Sequence, residues 1–123
     1  MNEKRLALGS KIKLSPVVID WAESLKVHAG VYYTCYRQQR VYLIAAGEKP
    51  TGGFRIVANL SEGRGDTIHY HLEVPSPDDF VIQTITYPYE IIVVKDGKPL
   101  HLYTQVKGEL KPVQPQETAP LTE

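Results

Sequence analysis

Cysteine, methionine and tryptophan each occur once in this 123-residue chain, and phenylalanine only twice. The lone Cys35 excludes an internal disulfide and fits a reducing compartment. Charge of one sign is also missing, since 14 basic residues balance 14 acidic ones. That removes the basic field by which most nucleic-acid binders release counterions from phosphates, so no nucleic-acid partner is expected. No apolar run approaches the roughly 20 residues that cross a bilayer. The opening MNEKRLALGSKIKLSP lacks the apolar stretch of a secretory signal. A cytoplasmic location without membrane contact is therefore expected. Nucleophile-elbow, phosphate-loop, dinucleotide and zinc-protease signatures are absent as well, which points away from an enzyme and from any cofactor.

What is present suits one small core: 42% of the residues are hydrophobic, and tyrosine accounts for 8 positions. Residues 1–14 are mixed and polar and read as a flexible N-terminal arm. Ser15-Pro16 is a helix start, because serine can accept a bond from a free backbone N–H and proline loses nothing at the first helical position. Val17, Val18, Trp21, Ala22 and Leu25 then recur at helical spacing, and Gly30 can close the helix.

From Val31 the period changes to two. Val31–Tyr36 and Val41–Ala46 flank the polar turn Arg37–Arg40, and Phe54, Ile56, Ala58 and Leu60 alternate with Arg55, Val57 and Asn59. Ile68, Tyr70, Leu72 and Val74 alternate with His69, His71 and Glu73, and after Pro75-Ser76-Pro77-Asp78 breaks the pattern, Phe80–Thr86 reads as a further strand. Glu90–Lys95 and Pro99–Tyr103 flank Asp96-Gly97, a pair suited to a tight hairpin. About seven short strands with frequent turns predict an α+β fold, with one N-terminal helix packed on a mainly antiparallel, immunoglobulin-like β-sandwich. One domain is expected over residues 15–107. Residues 108–123, with Pro112, Pro115 and Pro120 among Glu, Gln and Thr, read as a disordered tail.

Few residues point to chemistry. His69 and His71 lie two apart on one strand face, where imidazoles can share a metal, joined by His101 if its strand lies adjacent. The plainer reading is a polar outward face opposite Ile68, Tyr70 and Leu72, and no metal site is assigned. Cys35 follows Tyr32-Tyr33-Thr34 in an apolar strand and reads as a small buried hydrophobe rather than a nucleophile. Asp78-Asp79 beside prolines reads as turn chemistry, and Arg64-Gly65-Asp66 as a hairpin turn. Tyr32, Tyr36 and Tyr42 read as cross-strand packing on a half-exposed sheet. No catalytic residue is assigned.

Two loops carry the remaining signal. Lys49-Pro50-Thr51-Gly52-Gly53-Phe54 joins a stiff proline to two permissive glycines. Ile85-Thr86-Tyr87-Pro88-Tyr89 sets a proline between tyrosines, whose large rigid rings suit binding surfaces. Both loops could instead be structural corners.

The order of these blocks, Gly47-Glu48-Lys49-Pro50-Thr51-Gly52-Gly53-Phe54 and then Gln83-Thr84-Ile85-Thr86-Tyr87-Pro88-Tyr89 after a helix, resembles the C-terminal domain of the PrcB family. That family is named for a subunit of a bacterial protease complex, and the resemblance covers about residues 16–95. It implies a small non-catalytic β domain that associates with or stabilises a protease. Contacts are then expected at Thr51, Gly52, Gly53, Phe54, Tyr87, Pro88 and Tyr89. Pro50-Thr51-Gly52-Gly53-Phe54 is also similar to a loop of chagasin-like cysteine protease inhibitors. Their other two loops would correspond to Gly63–Asp66 and Tyr87-Pro88-Tyr89. A third reading is a self-assembling structural module, since exposed edge strands can pair between chains.

Overall fold

A computed structural model describes residues 6–60 and 67–122. The chain runs β1 (Leu6–Leu8), a 3-10 turn (Gly9–Lys11), α1 (Pro16–Leu25), β2 (Gly30–Tyr36), β3 (Gln39–Ala45), β4 (Arg55–Leu60) and β5 (Thr67–Glu73). It continues through β6 (Tyr89–Val94), β7 (His101–Val106), β8 (Glu109–Val113) and β9 (Gln116–Glu117). The strands form two mixed sheets, ordered β1-β6-β3-β2-β9 and β4-β5-β7-β8. Pairing is mainly antiparallel, with β2–β9 and β5–β7 parallel.

The first sheet is the middle layer. Val41, Leu43, Ala45, Ile91 and Val93 face α1, together with Tyr32 and Tyr36. Tyr42, Ile44, Ile92 and Val94 face the second sheet, meeting Ile68, Leu100 and Leu102. Both faces of β3 and β6 are covered, which is why their sequences are continuous apolar runs rather than alternations. Tyr32, Tyr36 and Tyr42 are buried in these two cores, so the half-exposed packing of these three expected from sequence is not what forms.

Helix α1 starts as its sequence directs, with Ser15 Oγ accepting from Val17 N at 3.3 Å and Pro16 in the first position. It ends at Leu25, earlier than expected, and Gly30 opens β2 instead of closing the helix. Between β2 and β3 the turn is two residues, Arg37 and Gln38, both left-handed at φ 52° and 67°. This is the geometry that matches the twist of a hairpin.

Four further expectations are corrected. Residues 6–8 are not a free arm, because Leu6, Ala7 and Leu8 pair with Val94, Val93 and Ile92. Nor is the stretch after residue 108 a disordered tail. It forms β8 against β7 and β9 against β2, and Leu121 packs on the helix-facing core. Asp96-Gly97 turns the chain from the first sheet to the second, since β6 and β7 do not pair. Residues 80–86 make no regular strand; only Thr86 forms a bridge, with Lys49.

Candidate functional site

The two marked loops are brought together by continuation of the β3–β6 ladder. Past the last register pair, Ala45 with Tyr89, the chains stay side by side. Ala46 N donates to Pro88 O at 3.0 Å, Lys49 and Thr86 exchange both backbone bonds at 2.8 and 2.9 Å, and Gly52 N donates to Ile82 O at 2.8 Å. Thr86 Oγ1 donates to Thr51 O at 2.7 Å, and Thr51 Oγ1 to Gly52 O at 2.9 Å. Pro50 and Pro88 carry no N–H, so the ribbon cannot complete its ladder there and remains an irregular platform.

The two glycines differ. Gly53 has φ 89°, and a Cβ there would lie 2.7 Å from Val81 Cγ1 and 2.9 Å from Pro75 Cβ. The backbone of the first loop is thus pressed against the segment that follows β5. A Cβ on Gly52 would meet nothing closer than 3.5 Å, an ordinary contact.

The aromatic members of the expected site face α1 and their own loop. Tyr89 Oη donates to Glu23 Oε2 at 2.9 Å, and Lys26 Nζ donates to Glu23 Oε1 at 2.7 Å. Burial, reinforced by the Glu23 carboxylate that accepts its hydrogen bond, pushes the Tyr89 hydroxyl up to about 12. The Lys26 ammonium, and then the Tyr89 hydroxyl, hold the Glu23 carboxyl below its usual range. Lys26 Nζ sits 5.8 Å from the Tyr87 ring centre, and Lys49 Nζ 5.9 Å from that of Phe54. Tyr87, Pro88, Tyr89 and Phe54 are all half-buried.

The side chains the platform leaves to solvent are others. Phe80 is fully exposed, with Ile82 at 72%, Val74 at 61% and Ile85 at 53%. The turn before Phe80 is closed by Asp79 N to Ser76 O at 3.0 Å and by Ser76 N to Asp79 Oδ2 at 2.8 Å. The sequence predicts a strand over Phe80–Thr86, a segment rich in β-branched residues, and the structure has a loop there. A distinguishing signal lay in Pro75-Ser76-Pro77, which frames the segment as a loop, so its apolar residues had no sheet to enter.

The other candidates stay apart from this platform. His69 and His71 lie on the face of β5 opposite Ile68 and Tyr70, with His69 edge-on to Tyr103 at 5.8 Å. Among the described residues no group of three or more His, Cys, Asp or Glu side chains is placed to hold a metal. Cys35 is exposed rather than buried, and its carbonyl accepts from Leu121 N at 2.9 Å. Arg64-Gly65-Asp66, and with it the second chagasin-like loop, lies outside the described residues. No helix among the described residues is long and apolar enough to cross a membrane.

Fold and platform together define a three-layer domain, a helix over two β-sheets, whose paired loops extend beyond the central sheet. Residues 40–95 match the family model described as PrcB C-terminal, so that resemblance is shown from β3 to the end of β6. The matched stretch contains both halves of the platform. Comparison with curated proteins and with solved structures found no match, and the chagasin-like similarity has no counterpart in these comparisons.

Proposed function

We propose that this is a non-catalytic protein-binding domain whose contact surface is the loop platform around Phe80, Ile82 and Ile85. The reading rests on the full exposure of Phe80, in a loop whose backbone is tied to Thr51–Phe54. A phenylalanine held in water forgoes the burial of about 150–250 Å². At about 25 cal/mol per Å² that is several kcal/mol available to whatever covers it. Apolar side chains exposed together on an ordered loop mark interaction sites. Thr51, Gly52, Gly53, Phe54, Tyr87, Pro88 and Tyr89 form the brace that presents this surface. The PrcB C-terminal match supports a partner within a protease complex, with this domain as an accessory subunit.

The test compares immobilised wild type with Phe80→Ala and Ile82→Ala as baits in native lysate, quantifying the bound proteins by mass spectrometry. Protease-complex subunits retained by wild type and depleted by either variant are the expected result. Identical bound sets for all three baits would remove the platform as the contact surface.

A further inference from the structure

A cavity of about 370 Å³ lies beside β1, at the far edge of the first sheet from β9. Its walls are apolar, with Leu6, Leu8, Ile12 and Ile68 among them, and Lys11 and Lys95 also line it. Both lysines are exposed, and neither is ion-paired among the described residues. The cavity is thus an apolar receptacle edged with positive charge.

The Phe80 loop has the complementary character. From Thr67 to Val94 the chain has four carboxylates, Glu73, Asp78, Asp79 and Glu90, and no Lys or Arg. Two of the four immediately precede Phe80. The Asp79 carboxylate closes the loop by accepting from Ser76 N, whereas Asp78 contributes only its backbone N–H to that turn. An exposed ring preceded by negative charge matches an apolar cavity edged with ammonium groups. Being fully exposed, Phe80 does not fill the cavity of its own chain.

We propose that the occupant of this cavity is the Phe80 loop of a second copy of this chain. Phe80 enters between Leu6, Leu8 and Ile68, while Asp78 and Asp79 meet Lys11 and Lys95. The inference rests on the binding reading above and names one partner for that surface. Donor loop and acceptor cavity are different patches, so two copies that exchange loops close into a two-fold dimer, and copies that contact head to tail form a ring or a chain of subunits. A single loop in a single cavity falls below the area of stable interfaces, so association is weak and concentration-dependent. Exposed charges at its rim make it weaker at high salt.

Sedimentation velocity of the full chain over a wide concentration range tests this. The weight-average mass is expected to rise with concentration and to fall back as salt is added. Phe80→Ala should weaken the association by about tenfold or more, with its melting curve showing that the fold is intact. Asp78→Lys and Lys95→Glu should each self-associate poorly alone, and mixing the two should restore the higher mass. A wild type that stays monomeric throughout, or association that Phe80→Ala leaves unchanged, would overturn the self-contact. If that monomer still retained protease-complex subunits through Phe80, the platform would stand as a binding surface with a different occupant.

Discussion

At the scale of single residues, Gly53 shows how one position fixes the candidate site. Its left-handed φ of 89° disfavours any side chain, and Val81 and Pro75 occupy the space a Cβ would need. Gly53→Ala is therefore expected to destabilise the protein by about 1–3 kcal/mol, the range for a side chain forced into that conformation. Gly52→Ala meets only ordinary contacts and should stay within about 0.5 kcal/mol of wild type. Urea unfolding of the two variants checks this, and equal shifts would contradict the assignment of the strained position to Gly53. Sequence alone marked both glycines as permissive. It could not rank them, because the ranking depends on Pro75 and Val81, more than 20 residues further along the chain.

At the scale of elements, the C-terminal segment behaves as a strap across the first sheet. Its prolines and lack of periodicity gave no local reason for order. The order comes from groups elsewhere that need partners. Tyr33 O accepts from Thr118 N at 2.8 Å, Thr34 Oγ1 donates to Ala119 O at 2.8 Å, and Trp21 Nε1 donates to Thr118 Oγ1 at 3.0 Å. Without the strap, β2 would be a bare edge open to pairing with another chain. Truncation after Val113 removes these bonds and the packing of Leu121, and is expected to lower stability by about 2–4 kcal/mol. Trp21 is the only tryptophan, so its fluorescence reports the loss directly. The truncated chain should emit at longer wavelength, and an unshifted spectrum with unchanged melting would show that the strap does not cover the helix-facing core. Local pattern succeeded where an element's order is local, as at Ser15-Pro16 and along β2 and β3. It failed at residues 80–86, where β-branched residues without a neighbouring strand left a loop.

At the scale of the whole molecule, the sequence contained the layer arrangement in a form that is easily passed over. Strands whose every residue is apolar, as in Val41–Ala45 and Ile91–Val94, must be covered on both faces, so they imply a central sheet rather than one wall of a two-layer sandwich. The connection between sheets was less legible, since Asp96-Gly97 has the chemistry of a hairpin and serves as a crossing. What directs the crossing is contact across the layers. Tyr42, 1% exposed in the central strand, accepts a hydrogen bond from Leu100 N at 3.0 Å just before β7 begins. That bond ties the middle sheet to the first residues entering the outer one. Tyr42→Phe keeps the ring and its packing but leaves a buried N–H without an acceptor, at a cost of about 1–3 kcal/mol. The Leu100 amide is expected to exchange slowly in wild type and to lose protection in Tyr42→Phe, more than the amides of β3 and β6. Uniform loss of protection across all three strands would instead mean that the variant loosens the core as a whole, and that the phenol does not act on the crossing itself.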